Sequence, residues 1–328
     1  MNEIDFVILW VDGNDPRWRE EFDRMRHTET DDASPIRYRD WENLRYWFRS
    51  VERFAPWVRR IHFVTWGHLP EWLQREHPKL HIVEHRDFIP AEYRPTFNSN
   101  VIELNLHRIE GLAEQFVLFN DDTFLLRPCR PEDFFRRGVP CDMARLSVVQ
   151  PSSVGHIAYN DLELINRCHD KRQAIRSNFG KWFAPCYGVM NLLKSATLMP
   201  WAFFPGLYDS HMPQPYLTAR FRQAWEQWPQ ELDATCRHHF RSLTDLSHWL
   251  IRYDVLADGE FSPRSMRDCR LTTLTDETIE EICSEIINQR WRMVCLNDSE
   301  RIADFNRMKS QLNGAFERIL PGKSSYEV

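Results

Sequence analysis

One short apolar run that is interrupted by acids constrains the fold of this 328-residue chain more than any other feature. Residues 116–126 read FVLFNDDTFLL, so the apolar run stops at Asn120, Asp121 and Asp122 and then resumes. Such a pattern is typical of a buried strand that delivers carboxylates to its end. Because buried carboxylates are costly unless they are paired or bind a metal, the segment favours a cation site. A polar β-turn is the alternative.

Strands and helices are predicted to alternate through the first half of the chain. The predicted strands are residues 4–11, 61–65, 81–84 and 116–120. The predicted helices are about 16–25, which Asp15 can cap and Pro16 can open, 41–54 and 98–110. Polar residues 27–40 are predicted to form a loop. This order predicts an α/β fold with a mostly parallel sheet that helices cover on both faces. Ligands of such sheets bind at the carboxyl ends of strands, where Asp12, Trp66 and Asp121 are expected to share a crevice.

The second half is predicted to be more helical. Residues 162–177 are charged and predict a helix that serves as a lid or an outer layer. Two amphipathic helices are predicted to close the chain. Their apolar positions are Ile279, Ile282, Cys283, Ile286, Ile287 and Val294 in the first, and Ile302, Phe305, Leu312, Phe316 and Ile319 in the second.

Composition excludes several classes of protein. The net charge of −6 argues against a general nucleic-acid binder. The eight cysteines form no C-x-x-C pair, which favours reduced core residues of a cytosolic protein over a zinc knuckle. The start of the chain lacks a basic secretory signal, and no apolar run is long enough to span a membrane, so we expect a soluble protein. Neither a P-loop nor a Rossmann fingerprint is present. Some of the thirteen tryptophans are expected to line a concave site.

Several polar residues are candidates for chemistry. Asn98, Asn100 and Glu103 open the predicted helix at 98–110, although helix capping and the helix dipole explain them equally well. His211 is the kind of side chain that moves a proton near neutral pH, with a structural role as the alternative. The segment 236–241, CRHHFR, offers two arginines that could hold a phosphate, or an ordinary solvated basic cluster.

A second apolar run ends in an Asn-Asp pair. Residues 293–298 read MVCLND, which repeats the pattern at Asn120 and Asp121. Asp298 could alternatively cap the final helix. Two such ends would form an oxygen-rich site suited to Mg²⁺ or Mn²⁺. The residues alone therefore indicate a metal-dependent phosphate or nucleotide enzyme.

These segments together resemble the four conserved regions of the Stealth family of sugar-1-phosphate transferases. That family includes bacterial capsular polysaccharide phosphotransferases and the catalytic subunit of the animal GlcNAc-1-phosphotransferase. The four similar regions are residues 4–16, 39–122, about 179–260 and 295–298. Their order makes the resemblance specific.

The resemblance implies a reaction and a fold. A hexose-1-phosphate, in particular an N-acetylhexosamine-1-phosphate, would pass from a UDP-sugar to a hydroxyl of a capsular polysaccharide or exopolysaccharide, and UMP would leave. The implied fold is GT-A-like, with added helical elements in the second half. It implies a nucleotide-sugar-binding core at 1–126, a variable and partly helical insertion at 127–178, and the rest of the catalytic domain at 179–328.

The resemblance also implies roles for individual residues. His211, Glu103, Asp122 and Arg241 would be catalytic, with His211 preferred over Glu103 as the base. The other implied sets are nucleotide-sugar binding by Asp12, Asp15, Arg45, Asn98 and Asn100, and binding of Mg²⁺ or Mn²⁺ by Asp121, Asp122 and Asp298.

The resemblance further implies a location and leaves two alternatives. The enzyme would be cytoplasmic, contacting membrane-bound capsule machinery at the inner face of the cytoplasmic membrane, with no nucleic-acid partner. One alternative is a metal-dependent glycosyltransferase that passes only the sugar and releases UDP. The other is a non-catalytic glycan- or nucleotide-binding protein, which would not need every acidic and basic residue named above.

Overall fold

The computed structural model describes residues 3–26 and 39–328, so most of the predicted loop at 27–40 lies outside the described residues. The strands that it describes are β1 (Ile4–Leu9), β2 (Ile61–Thr65), β3 (Leu80–Glu84), β4 (Gln115–Phe119), β5 (Thr123–Leu125), β6 (Phe135–Arg136), β7 (Val139–Asp142), β8 (Gln214–Leu217), β9 (Ser262–Pro263), β10 (Cys269–Thr273) and β11 (Met293–Asn297). The helices are α1 (Pro16–Arg26), α2 (Leu44–Phe54), α3 (His85–Phe88), α4 (Ser99–Leu104), α5 (Ser153–Cys168), α6 (Lys171–Ser177), α7 (Phe179–Trp182), α8 (Val189–Thr197), α9 (Thr218–Gln227), α10 (Pro229–Cys236), α11 (Trp249–Asp258), α12 (Ile279–Ile287) and α13 (Phe305–Ile319).

The central sheet has five strands in the order β3-β2-β1-β4-β8. The first four are parallel and β8 runs antiparallel to β4. Alternate residues of β1 face opposite sides of the sheet, so Phe6 and Ile8 pack in one apolar core and Val7 packs in another. Because both faces are covered, strands such as β4 are buried along their whole length. The prediction of an α/β fold with a mostly parallel sheet is confirmed.

A second sheet meets the central one at the interrupted apolar run. It has the order β10-β11-β5, in which β10 and β11 are parallel and β5 is antiparallel to β11. The chain leaves the central sheet at the end of β4, turns through residues 120–122 and enters the second sheet as β5. The backbone N–H of Leu296 donates to the carbonyl of Asp122 at 2.9 Å, which ties this turn to the end of β11. The acids therefore lie where the two sheets join. A third small sheet has the order β6-β7-β9.

Several predicted helix boundaries are wrong. Val294 lies in β11 and not in a helix, because α12 ends at Ile287 and the chain turns at Gln289, whose φ is +47°. The final helix begins at Phe305, after Ile302, and its cap is Asp304 rather than Asp298. The charged stretch predicted as one helix at 162–177 forms two helices, α5 and α6, and α5 begins earlier, at Ser153. The helix predicted at 98–110 ends at Leu104 and is followed by a 3-10 turn at Leu106–Arg108.

The structure shows the state of the cysteines and the lengths of the helices. All eight cysteines are free thiols, and four of them are buried: Cys129, Cys141, Cys236 and Cys295. Within residues 3–26 and 39–328, every helix is too short or too polar to cross a bilayer.

Candidate active site

A cavity of about 640 Å³ opens at the carboxyl end of the central sheet. Its walls come from the residues that follow β1 and β4, from α4, from the segments 209–214 and 241–249, and from the end of β11. This position is the one expected for a ligand site in a mostly parallel sheet. It brings together seven of the predicted site residues, namely Asn100, Glu103, Asp121, Asp122, His211, Arg241 and Asp298. Trp10, Trp41 and Trp249 also line it, as expected for part of the tryptophan complement.

One side of the cavity carries the carboxylates of Asp121 and Asp122, which form no ion pair with a basic side chain of the described residues. Desolvation, and then the charges of Asp122 and Asp40, raise the pKa of Asp121, although this residue lines the cavity at an exposed position. Burial also raises the pKa of Asp122, although the charge of His211 opposes the change. Among residues 3–26 and 39–328, the buried Oδ1 atom of Asp122 has no hydrogen-bond partner, and its Oδ2 atom accepts only a weak bond from Cys295 Sγ at 3.4 Å. The described residues therefore leave the negative charge of Asp121 and Asp122 without an ion-pair partner.

Asp298 lies in the same cavity, but its two oxygens already have donors. Its Oδ2 atom accepts a hydrogen bond from Trp41 Nε1 at 3.1 Å, and its Oδ1 atom lies 3.3 Å from Arg39 Nη1. Burial raises its pKa, while the bonds from Ser299 and Trp41 and the charge of Arg39 oppose that rise. Asp298 thus joins the segment at residues 39–41 to the end of β11.

The oxygen atoms of the cavity's carboxylates are the groups that could bind a divalent cation. The described part of the chain contains no group of three or more His, Cys, Asp or Glu side chains that could hold a metal ion by themselves. Mg²⁺ differs from zinc in this respect, because it usually binds through one or two carboxylates and takes its other ligands from phosphates and water. The unpartnered oxygen of Asp122 and the neighbouring Asp121 fit such a site. The cavity as a whole is lined by six carboxylates and two arginines, which favours a cation further.

The opposite side of the cavity holds a histidine that is paired with a carboxylate. His211 Nδ1 lies 3.0 Å from Asp209 Oδ2, and the backbone N–H of His211 donates to Asp209 Oδ1 at 2.9 Å. Burial disfavours the imidazolium, but Asp209 and then Asp122 outweigh it and raise the pKa of His211. In return His211 lowers the pKa of Asp209, against the effect of burial.

A buried ion pair between Asp142 and Arg252 lies next to the segment that carries Asp209. Arg252 donates to both oxygens of Asp142, at 2.6 and 3.0 Å, and to the carbonyl of Tyr208 at 2.8 Å. Its charge also helps to keep Asp209 ionised. The Asp142–Arg252 pair therefore fixes the start of the segment that carries Asp209 and His211. His211 itself has a φ of +52°, a conformation that the bond to Asp209 Oδ1 holds in place.

Glu103 and Arg241 form the third part of the site. Glu103 is buried on α4, and desolvation raises its pKa to about 7 even though Arg241 and Ser99 act in the opposite direction. Arg241 Nη2 donates to Ser99 Oγ at 2.6 Å. The Oε2 atom of Glu103 lies 3.7 Å from Nε2 of His248. Burial lowers the pKa of His248 to about 4, so this histidine is neutral near pH 7, and Arg241 is the cation that opposes the raised pKa of Glu103.

Asn98 and Asn100 hold the segment that carries Arg241. Both side-chain amides donate to Asp245 Oδ2, at 2.7 and 3.0 Å respectively, and Asn98 also donates to the carbonyl of Phe240 at 3.2 Å. Asn98 caps α4 at the same time, since its Oδ1 atom accepts from the backbone N–H of Asn100. Asn100 lines the cavity, whereas Asn98 is fully buried beneath it.

Other predicted site residues are not among the residues that line the cavity. Asp15 caps α1 by accepting from the N–H groups of Arg17 and Trp18, and Asp12 accepts from the N–H of Asn14. Arg45 lies over the ring of Trp72 at 5.6 Å. Two further expectations fail in the same way. Trp66 donates to Glu21 instead of lining the crevice, and Arg237 pairs with Asp233, so Arg237 and Arg241 do not form one phosphate clamp.

Sequence reasoning missed three residues that line the cavity: Asp40, Asp209 and His248. The signal for Asp209 was available, because it lies two positions before His211 in the sequence DSH. His248 shows no comparable signal, since only the fold brings this residue, just before α11, within 3.7 Å of Glu103 on α4.

The chain resembles known proteins along most of its length. Three family models match it: conserved region 1 of Stealth proteins at residues 2–27, conserved region 2 at 37–141 and conserved region 3 at 210–253. The capsular polysaccharide phosphotransferase WcwK of Streptococcus pneumoniae is 39% identical over 100% of this chain and 98% of its own length. The exopolysaccharide phosphotransferase cps2G of Lactiplantibacillus plantarum is 35% identical over 99% of this chain and 96% of its own length.

A solved structure resembles the chain more distantly. The galactosyltransferase LgtC, crystallised with donor and acceptor sugar analogues, aligns with 95% of each chain at 10% identity and a TM-score of 0.36. Values this low carry no conclusion about activity, and the GT-A-like detail of the fold therefore rests on the family resemblance. The matches to three conserved regions and to full-length relatives show that this chain belongs to the Stealth family of sugar-phosphate transferases.

Proposed function

We propose that this enzyme transfers a hexose-1-phosphate from a UDP-sugar to a hydroxyl of a capsular polysaccharide or exopolysaccharide. The preferred donor is a UDP-N-acetylhexosamine, and the products are a phosphodiester and UMP. The names of the relatives support phosphate transfer to such polymers. The observation that carries the proposal is that one cavity contains both a carboxylate-paired histidine and a set of acids without cationic partners. These are the two groups that phosphate transfer to a hydroxyl requires.

The reaction begins at the acceptor hydroxyl. Its oxygen attacks the phosphorus that carries the sugar, a new P–O bond forms, and the bond from that phosphorus to the bridging oxygen breaks. UMP leaves with the electron pair of the broken bond. His211 accepts the proton of the hydroxyl at Nε2, because its Nδ1 faces Asp209. Asp209 orients the ring and stabilises the imidazolium that results.

Negative charge on the phosphoryl oxygens is balanced by two parts of the cavity. Arg241 donates to these oxygens, and the segment that carries it is held in place by Asn98, Asn100 and Asp245. Asp121 and Asp122 would hold Mg²⁺ or Mn²⁺, which when bound would neutralise charge on the diphosphate. Asp298 contributes through Arg39 and Trp41, whose side chains it holds at the cavity wall.

Glu103 remains the second candidate for the base, because burial raises its pKa to about 7. Its neighbour Arg241 suits it better for orienting the donor. The nucleotide-binding role predicted for Asp12, Asp15 and Arg45 is not part of the proposal, since these residues have other partners. A nucleotide-sugar donor also implies a cytoplasmic enzyme, working beside the membrane-bound machinery that handles the polymer.

The identity of the released nucleotide tests the proposal. Purified protein is incubated with Mg²⁺, a panel of UDP-sugars and short capsule-type oligosaccharides, and the nucleotide product is separated by chromatography. We expect UMP, and His211→Ala is expected to abolish its release. Release of UDP would instead indicate a glycosyltransferase that passes the sugar alone.

A further inference from the structure

Residues 171–208 differ in charge from the rest of the chain. The whole sequence has 48 acidic and 42 basic residues, but these 38 residues contain no Asp or Glu and five Lys or Arg. Three of the basic residues, Arg172, Arg176 and Lys194, are exposed. Within the described part of the chain, none of these three lies within ion-pair distance of a carboxylate. An overall acidic protein thus presents one segment of unbalanced positive charge.

The same segment exposes large apolar side chains. Six of the twelve large hydrophobic residues that are exposed in the described chain belong to it: Phe179, Val189, Met190, Leu193, Trp201 and Phe203. Three of them are exposed on the short helix α8, and Val189 reaches 72% exposure. Trp201 and Phe203, at 56% and 68% exposure, follow in the loop after α8. Exposed apolar side chains at this density mark an interaction surface.

Hydrogen bonds join the pieces of this segment into one surface. The buried side chain of Lys171, at the start of α6, donates to the carbonyls of Leu198 at 2.8 Å and Trp201 at 2.5 Å. The loop that carries Trp201 is therefore fixed against the helix that carries Arg172 and Arg176. Phe204, next to Phe203, exchanges hydrogen bonds with Asn166 of α5 at 2.8 and 3.1 Å. The exposed side chains thus stand on an ordered base.

We propose that this surface, formed by the exposed side chains of residues 171–208, docks on a lipid bilayer that contains anionic headgroups. Tryptophan and phenylalanine enter the interface between headgroups and acyl chains, and exposed basic side chains are attracted to anionic lipid. A bilayer explains both properties of the surface at once, namely the complete lack of acidic residues and the exposed aromatic rings. The segment continues directly into Asp209 and His211, so docking would connect the bilayer to the His211 side of the cavity.

Vesicle binding tests this inference without reference to the reaction. The full chain is sedimented with phosphatidylcholine vesicles that contain or lack phosphatidylglycerol. We expect binding to the anionic vesicles and weaker binding to the neutral ones. The double variant Trp201→Ser, Phe203→Ser is expected to bind at least about tenfold more weakly, since it removes the two rings that enter the interface. Each of Arg172→Gln, Arg176→Gln and Lys194→Gln is expected to weaken binding about fivefold.

Two controls separate docking from folding. Leu271→Ser removes an exposed apolar side chain from β10, outside the surface, and is expected to leave vesicle binding unchanged. Thermal unfolding of the Trp201→Ser, Phe203→Ser variant is expected to match that of the parent protein, because both rings are exposed. The proposal is overturned if the parent protein does not bind anionic vesicles. That result would instead indicate that the surface binds a protein partner. It is also overturned if the double variant binds them as tightly as the parent does.

Discussion

The two sides of the cavity solve the same electrostatic problem in different ways. On the His211 side, the carboxylate of Asp209 has a cation built into the chain, and its pKa is lowered. On the Asp122 side, desolvation raises the pKa values of both Asp121 and Asp122, and the charges of Asp122 and Asp40 raise that of Asp121 further. Among the described residues, one oxygen of Asp122 has no hydrogen-bond partner. Asp209 therefore has a cationic partner within the chain, whereas Asp121 and Asp122 would gain one if the proposed metal ion binds.

This difference indicates how the work is divided. The His211 side is suited to proton transfer, because Asp209 holds His211 in one orientation whether or not substrate is bound. The Asp122 side would suit a metal ion that also binds the phosphates of a donor. The unpartnered acids cost stability in the free protein, and binding of a cation would recover it.

Removing the acid that lacks a partner is expected to have the largest effect. Asp122→Asn should lower kcat by about 10⁴-fold, because several kcal/mol of charge stabilisation by the metal are lost. The fold should be as stable as before or more so, since a buried charge is removed. Mg²⁺ should raise the unfolding temperature of the parent protein but not that of the variant. Asp276→Asn, at the surface beside Arg307, serves as the matched control for both measurements. Full activity of Asp122→Asn would refute the metal assignment.

The histidine side is expected to show the next largest effect. His211→Ala should lower kcat by about 10³-fold, the usual contribution of a general base, and should abolish the acidic limb of the pH–rate profile. Glu103→Gln should lower activity but keep that limb. If the limb disappears in Glu103→Gln and persists in His211→Ala, Glu103 is the base, and the pKa of about 7 that burial gives it would explain the profile.

The carboxylate behind His211 is expected to act through the histidine's pKa. Asp209→Asn removes the main group that raises the pKa of His211, so the imidazole should lose its proton at lower pH. The acidic limb of kcat/KM should therefore move to lower pH, and the plateau should fall by about 10²-fold because the ring is less well oriented. A plateau loss without movement of the limb would mean that Asp209 supports the fold but does not tune the base.

The smallest effect is expected beneath Arg241. Asn98→Ala removes hydrogen bonds to Asp245 and Phe240 and should cost about 2 kcal/mol of unfolding free energy. It should also lower kcat about tenfold, because the segment that carries Arg241 is loosened. Asn105→Ala is the control: Asn105 is equally buried and donates to the carbonyl of Val101 and weakly to Cys236 Sγ, but not to Asp245 or Phe240. It should lose similar stability and keep its kcat, as denaturant unfolding and initial rates would show.

The sequence was sufficient for the parts that local patterns encode. The apolar runs predicted the central strands, with β2 at its observed bounds, and the Asn-Asp endings pointed to two walls of the cavity. Val294 was assigned to a helix because the apolar positions of α12 and β11 are separated by only five residues, 288–292.

The missed features depend on contacts between distant residues. Asp298 makes a plausible helix cap in sequence, and only the structure shows that Trp41 and Arg39 occupy its oxygens. His248 reaches Glu103 from 145 positions along the chain, a pairing that no spacing rule predicts. The hydrogen bonds that Asn98 and Asn100 both donate to Asp245 also join residues far apart in the sequence.

The most direct test of the account follows the phosphorus atom that carries the sugar. A UDP-sugar labelled at this phosphorus is supplied with acceptor oligosaccharide and Mg²⁺, and the label is located after the polymer is separated from the nucleotides. We expect the label to enter the polymer in a phosphodiester and the released nucleotide to be unlabelled UMP. Label that stays in UDP while sugar enters the polymer would contradict it.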